Sequence, residues 1–122
     1  MRMVRIQKSD TPSSIVTLKY CDTFFSRLNG LMFTKELEPD HGVMLVDKGE
    51  SKANASIHMF FMNYDITVLW LDKNMVVVDK VLAKKWRPYY APEKPAQYIL
   101  ELHESKFPEY AVGDQLVLEE GE

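Results

Sequence analysis

The chain has 122 residues, of which 46% are apolar and 27% charged, and this composition excludes a mainly disordered, collagen-like or coiled-coil architecture. Its 15 Lys and Arg residues against 18 Asp and Glu residues give a net charge of −3, so a nucleic-acid site would need a local basic patch. The length fits one domain, and we expect residues 1–122 to form it.

The N-terminus and the cysteine content indicate the cellular compartment of the protein. The N-terminus lacks the apolar run of a signal peptide, and no apolar stretch approaches the roughly 20 residues of a membrane-spanning helix. A single cysteine, Cys21, excludes an internal disulfide and a Cys-rich zinc site. These features predict a cytoplasmic protein without a membrane partner.

The first third of the chain predicts two strands and a short helix. Residues 4–6 and 15–19 are strand-like runs on either side of a polar turn, which favours a hairpin or meander. A change to helical spacing predicts a helix over residues 23–29, with Arg27 in its last turn. Gly30 follows directly, where helices commonly end in a left-handed residue, so we expect a positive φ there.

The rest of the chain predicts further strands. The clearest are residues 66–71 and 75–82, which are apolar on both faces and therefore favour central positions in a sheet. Between them Asn74 can take a positive φ, so we expect a tight antiparallel hairpin with Trp70 buried. The polar residues 47–55 predict a surface segment. Other short apolar runs predict strands at residues 43–46, 98–102 and 115–118.

The histidines do not have the spacing of metal ligands. His41, His58 and His103 are spread along the chain without an i, i+4 pair, and no glycine-rich phosphate loop occurs. We therefore expect no metal and no cofactor, and no motif identifies a catalytic residue.

Two ionisable residues lie in apolar surroundings. Glu101 stands between two leucines, and a shielded carboxylate of this kind needs a cationic or backbone partner. Arg27 is the first candidate for that partner because few cations lie near the apolar segments, and Arg87 is the competitor. His58 also has apolar neighbours, and it is either a structural residue or a ligand contact or general base.

Residues 84–94 interleave cations with aromatic side chains and prolines. Aromatic rings stack on bases and cations pair with phosphates, so this composition is typical of a single-strand nucleic-acid platform. It is equally typical of a proline-stiffened surface loop whose aromatic residues pack as anchors. The net charge of −3 disfavours the nucleic-acid interpretation.

A further pattern runs along nearly the whole chain. It comprises Arg-x-x-Gly-Leu-Met from Arg27, Gly-Val-Met-Leu-Val from Gly42, an aromatic and methionine run leading into an apolar strand over residues 57–72, residues 85–102, and Gly113-Asp114. Together these segments resemble the DUF192 family of small prokaryotic proteins, in a short archaeal or thermophile-like form. The resemblance implies a mainly β (α+β) domain: a partly closed antiparallel β-barrel or strongly curved sheet with one or two short helices. The chain has Asp65 and Thr67 where the family usually has Pro and Asp.

We expect a binding or interaction module without self-evident catalytic machinery, whose partner is a small molecule or a protein. Its contact surface is expected to join residues 86–95 to residues 27–32. One alternative is an enzyme acting on a small organic or sugar-like substrate through His58 and a nearby carboxylate, Glu101 or Asp72. A second is nucleic-acid binding through residues 84–94. The candidate ligand-binding residues are Arg27, Met32, His58, Trp86, Arg87, Tyr89 and Glu101.

Overall fold

A computed structural model of the chain describes residues 2–11, 15–23, 26–27, 30–32 and 34–120. Its strands are β1 (Met3–Lys8), β2 (Val16–Cys21), β3 (His41–Ser51), β4 (Ile66–Leu71), β5 (Val77–Ala83), β6 (Ala96–His103) and β7 (Leu116–Glu120), with a short 3-10 helix, Glu104–Glu109, before β7. They form a seven-stranded sheet in the order β5-β4-β6-β3-β2-β1-β7, so this part of the chain is mainly β, as predicted. Among the described residues no helix is long and apolar enough to span a bilayer.

The predicted central hairpin is formed by β4 and β5, which pair antiparallel. Trp70 is 1% exposed, which confirms its predicted burial. The positive φ of the turn falls on Met75, at 64°, and the prediction of Asn74 is wrong. The Asp72 carboxylate explains the difference, because it accepts the backbone N–H of Asn74 at 2.9 Å and holds that residue in the turn.

The pairing of β2 with β3 is parallel, which corrects the expectation of a purely antiparallel sheet. A parallel pair needs a crossover of about a dozen residues or more, and residues 22–40 supply it. The described part of this crossover has a helical turn at Ser26 and Arg27, and residues 24–25 and 28–29 of the predicted helix lie outside the described residues. Gly30 has a φ of 40°, as predicted.

Two strands differ from their predicted environment or length. The polar residues 47–51 continue β3 beyond its predicted end at Val46, residues 48–50 are exposed as predicted, and the β3–β6 register shifts after Val46. β5 lies at the edge of the sheet and is mostly half-buried, so the expected covering of both faces holds for β4 alone. An edge strand has a neighbour on one side, and its apolar residues then pack less completely than those of a central strand.

Alternation along β6 divides the core between the two faces of the sheet. Leu100 and Leu102 lie on what we call the packed face, and Ile99 and Glu101 lie on the opposite cavity face. The packed face holds the buried cluster Val4, Ile6, Val16, Leu18, Met44, Leu69, Leu71, Val77, Leu100, Leu102, Tyr110 and Leu116. The cavity face holds Cys21, Leu31, Val43, Leu45, Ala55, Ile57, Met59, Met62, Ile66, Val68, Trp70, Ala83, Ala96 and Ile99.

The two edge strands approach each other at one end without pairing along their length. The Val77 N–H donates to the Asp114 carbonyl at 2.9 Å, and the Leu116 N–H donates to the Met75 carbonyl at 3.0 Å. No ladder joins β5 to β7 in the described part of the chain, so the sheet is not a closed barrel.

Candidate functional site

A cavity of about 260 Å³ lies on the cavity face, between the β3–β6 pair and the segments that cover it. The polar and charged residues that line it are Arg27, Asp47, Asn54, Ser56, His58, Gln97 and Glu101. Its other described lining residues are Gly30, Leu31, Met32, Leu45, Val46, Ala55, Ile57, Met62, Ala96 and Ile99. Apolar walls with a few polar groups are typical of sites that bind small molecules.

Strand pairing fixes the backbone of Glu101 on one wall of this cavity. β6 lies between β3 and β4, so Glu101 is flanked by ladders on both sides, opposite Val43 and Val68. Its side chain is buried, with 6% of the residue exposed. A Cβ on Gly30 would lie 3.1 Å from Glu101 Oε1, so the glycine leaves room for the carboxylate. The central position in the sheet fixes where the carboxylate can reach.

The Glu101 carboxylate has no hydrogen-bond or ion-pair partner among the described residues. Burial alone raises its pKa from 4.5 to about 7. Burial also raises the pKa of the Cys21 thiol and of the Tyr64 hydroxyl, and the charge of Glu101 contributes to both shifts. These two neighbours are therefore neutral at pH 7 and do not balance a charged Glu101.

The expected pairing of Arg27 with Glu101 is wrong. Arg27 Nη1 donates instead to the Val46 carbonyl at 3.0 Å and lies 3.4 Å from Asp47 Oδ1. These acceptors lie where the β3–β6 register shifts, at the end of the cavity away from the middle of β6. Arg27 and Glu101 thus line one cavity without contacting each other.

His58 reaches the cavity from the segment before β4, which is joined to the sheet and to the loop before β6. Trp70 Nε1 donates to the Ala55 carbonyl at 2.7 Å. Ile57 and Tyr90 exchange two backbone hydrogen bonds, of 2.8 and 3.0 Å. His58 Nδ1 accepts the backbone N–H two residues later at 3.2 Å, so the neutral ring carries its hydrogen on Nε2. His58 therefore lines the cavity with its Nδ1 already occupied by a backbone N–H.

Trp86, Arg87 and Tyr89 lie outside the cavity lining, whereas the other four candidate residues belong to it. Trp86 is 53% exposed and Tyr89 61% exposed. The Trp86 ring contacts that of Phe61 edge-on at 5.2 Å, and the Arg87 guanidinium lies 4.9 Å from the centre of the Tyr90 ring. The candidates thus separate into a cavity group and an exposed aromatic loop.

Three polar positions singled out by the sequence have structural contacts. Asp72, one of the two carboxylates considered beside the cavity histidine, lies in the β4–β5 turn and outside the cavity lining. Asp65 accepts the Lys85 N–H at 2.9 Å, which ties the loop before β6 to the start of β4. Thr67 is fully buried, and its hydroxyl donates to the Glu104 carbonyl at 3.3 Å. Both departures from the DUF192 pattern therefore hold neighbouring segments in place.

Four polar lining residues were missed by the sequence interpretation: Asp47, Asn54, Ser56 and Gln97. The Asp47 carbonyl accepts a hydrogen bond from Gln97 Nε2 at 3.2 Å. Asp47 and Asn54 belong to the stretch that its polarity placed on the surface. The pairing of an extended β3 with β6 brings Asp47 and Gln97 together. Local sequence patterns do not predict this long-range pairing.

Glu38, Asp40 and His41 form an exposed cluster outside the cavity, with their ligand-type atoms within 4.8 Å of one another. His41 Nδ1 lies 3.0 Å from Asp40 Oδ1. Exposed acidic clusters are common without a metal, and the expected absence of a metal site stays a prediction.

Fold and site together define a mainly β protein in which a central strand carries a buried carboxylate at a cavity, without a partner in the described part of the chain. The chain belongs to the DUF192 family, described as "Uncharacterized ACR", whose model matches residues 4–118. That description assigns no activity to the family.

Relatives from Thermococcus and Pyrococcus bear the name UPF0127 protein. The Thermococcus kodakarensis protein is 52% identical over 84 residues, which cover 69% of this chain and 52% of that protein. The Pyrococcus horikoshii protein is 41% identical over 103 residues, covering 81% of this chain and 84% of that one. The chain thus spans about half the length of the Thermococcus kodakarensis relative.

Two crystal structures have a similar fold. One is a candidate transcription regulator from Sinorhizobium meliloti, with a TM-score of 0.77 and 20% identity, covering 95% of this chain and 92% of that one. The other is a protein of unknown function from Novosphingobium aromaticivorans, with a TM-score of 0.75 and 14% identity, covering 94% and 83%. At these identities the likeness concerns the fold alone.

Proposed function

We propose that this domain binds a small organic molecule in the cavity beside Glu101. The observation that carries the proposal is the Glu101 carboxylate, which lies buried at a cavity of about 260 Å³ without a partner among the described residues. Burying an ionisable group without a partner destabilises a fold, and apolar residues at such positions are generally tolerated better. Perturbed ionisable groups in clefts are therefore candidates for function.

The size and lining of the cavity support a small ligand. Its volume of about 260 Å³ lies just below the range of roughly 300–1,000 Å³ usual for drug-sized molecules. Leu31, Leu45, Ile57 and Ile99 supply apolar contact area, while the polar groups lie at defined points of the wall. A compact molecule with an apolar body and one or two hydrogen-bonding groups fits this distribution.

A second candidate function is an enzyme that uses His58 and Glu101 as acid and base. The observation in its favour is that both side chains line the same cavity. A glutamate with a pKa raised to about 7 by burial is suited to proton transfer near neutral pH. We place binding first because it requires one unpartnered group at the cavity. Catalysis would require two groups that act on the same substrate.

The curvature of the sheet belongs to the same proposal. We propose that the sheet acts as a partly closed barrel, with the edge strands joined at one end. The hydrogen bonds that residues 113–116 make with residues 75–77 support this description. A strongly curved sheet would give the cavity face the concave shape that a ligand needs.

The test is native mass spectrometry of the purified protein, followed by thermal-shift screening of small molecules. Wild-type protein, Glu101→Gln and Glu93→Gln are compared, since Glu93 is exposed and lies outside the cavity lining. We expect a copurifying or screened ligand to bind the wild type and Glu93→Gln, and to be lost or weakened in Glu101→Gln. Ligands that bind all three proteins equally, or no ligand at all, would contradict the proposed site.

A further inference from the structure

The described lining of the cavity has more acidic than basic residues. Asp47 and Glu101 are acidic, and Arg27 is the basic residue of the described lining. Arg27 already lies 3.4 Å from Asp47 Oδ1 and donates to the Val46 carbonyl. The Arg27–Asp47 pair is therefore internally balanced, and the carboxylate of Glu101 is left over.

We propose that the ligand of this cavity is a small organic cation, a protonated amine on an apolar body, whose ammonium group contacts the Glu101 carboxylate. This inference rests on the function proposed above and names the chemical class of the ligand. An ammonium group donates hydrogen bonds and carries a positive charge. It can therefore act as the partner that Glu101 lacks among the described residues. Leu31, Leu45 and Ile99 then contact the apolar body.

Other ligand classes fit the same wall less well. A carboxylate ligand would add a negative charge beside Glu101 and Asp47, and in a low-dielectric cavity like charges repel strongly. A neutral apolar ligand would exclude water from Glu101 while leaving the carboxylate unpaired, which increases the desolvation that already disfavours its charged form. A cation that contacts Glu101 avoids the repulsion between like charges and also pairs the carboxylate.

The surroundings of Glu101 make the contact sensitive to pH. The titratable groups around it are Cys21 on β2, Tyr64 before β4, and the cavity residues Arg27, Asp47 and His58. Cys21 and Tyr64 stay neutral because burial raises the pKa of each, whereas the pKa of Glu101 is about 7 in the free protein. Raising the pH from 6 to 8 therefore creates the carboxylate that the amine needs.

The test uses three probes of nearly equal shape: benzylamine, benzyl alcohol and benzoate. Each is titrated calorimetrically into the wild-type protein at pH 8, and benzylamine also at pH 6, where it remains protonated. We expect benzylamine to bind most tightly, and its affinity to fall about tenfold at pH 6 because about a tenth of Glu101 remains ionised there.

Variants identify the group responsible for the preference. Glu101→Gln should weaken benzylamine binding about thirtyfold or more, the effect of removing one partner of a buried charge pair. Glu93→Gln should leave the affinity unchanged. His58→Gln should keep the pH dependence, because the account assigns it to Glu101. If Glu101→Gln does not fold, the probe series and the pH comparison on the wild type decide the question.

The outcomes separate the two proposals. Equal binding of benzyl alcohol and benzylamine, or a preference for benzoate, would overturn the cationic class while leaving a binding cavity in place. Loss of the pH dependence in His58→Gln would transfer the effect to the histidine and would also overturn the inference. If none of the probes binds and the screen described above finds no ligand, both proposals fail.

Discussion

The two faces of the sheet use the same central strand for different purposes. On the packed face, Leu100 and Leu102 are fully buried within an apolar cluster. On the cavity face, Ile99 and Glu101 of the same strand border an open volume of about 260 Å³. One face thus stabilises the fold and gives β6 a fixed position, while the other uses that position to hold a carboxylate where folding alone would not favour it.

Each face also holds a buried polar group without a partner among the described residues, and the two groups differ in charge. The Tyr110 hydroxyl on the packed face has no hydrogen-bond partner among the described residues. Burial raises the pKa of Tyr110 to about 12, so it stays neutral at all physiological pH values. Glu101, whose pKa is about 7, changes charge within that range. A buried phenol therefore has a constant effect on stability, whereas the buried carboxylate makes stability depend on pH.

The largest expected contrast compares two leucines in β-strands. Leu102→Ala on the packed face should lower the free energy of unfolding by about 3–4 kcal/mol, since it opens a new hole in a filled core. Leu45→Ala at the cavity should lower it by about 2 kcal/mol or less, because that side chain already lacks neighbours on one side. Urea denaturation measures both. Equal losses would show that the cavity face is packed like the other.

The next contrast concerns pH. Because the pKa of Glu101 is about 7 in the folded chain and 4.5 ordinarily, the folded state binds more protons between these values. Wild-type stability should therefore fall as the pH rises through this window, by up to about 3 kcal/mol. Glu101→Gln should lack this loss, and Glu93→Gln should retain it. Parallel stability curves for wild type and Glu101→Gln would show that Glu101 is not shielded.

Gly30 and Gly49 test the contact between the crossover and Glu101. Gly30→Ala should lower the free energy of unfolding by roughly 1–2 kcal/mol, because Gly30 has a φ of 40° and its new Cβ would lie 3.1 Å from Glu101 Oε1. Gly49→Ala is the control, since nothing lies within 4 Å of its Cβ position. Thermal unfolding measures both, and an unchanged Tm for Gly30→Ala would contradict this reading of the crossover.

Arg27→Ala should have the smallest effect. Arg27 and Asp47 are partly exposed, with side-chain exposures of 32% and 23%, and pairs of this kind contribute about 1 kcal/mol or less. A structural pair between Arg27 and Glu101 would instead make the loss several kcal/mol, since it would leave a buried charge alone. A loss of several kcal/mol in urea denaturation would therefore indicate that Arg27 pairs with Glu101 and would contradict the observed contact with Asp47.

Local sequence patterns predict part of the fold and part of the cavity. The hairpin of β4 and β5 and the burial of Trp70 follow from local apolar patterns, and Gly30 follows from helix-end chemistry. The shielding of Glu101 is predictable from Ile99, which shares its face of the strand, whereas Leu100 and Leu102 lie on the packed face. The lack of a partner for Glu101 is not predictable, because that depends on where the crossover places Arg27.

Long-range pairing accounts for most of the remaining differences. The parallel pairing of β2 with β3 and the register shift after Val46 are properties of strands far apart in sequence. They extend β3 into polar residues and bring Asp47 to the cavity. No periodicity in the residues themselves distinguishes such an extension from a surface loop.

The protonation of Glu101 is measured most directly by a carbon-13 NMR titration of the glutamate side-chain carboxyl groups, with Glu101 assigned by comparison with Glu101→Gln. We expect the Glu101 signal to titrate near pH 7 in the free protein and at a lower pH when saturated with benzylamine, since an ammonium partner favours the carboxylate. Titration near pH 4.5 in the free protein, unchanged by the amine, would contradict both the shielding of Glu101 and its assignment as the ligand-binding group.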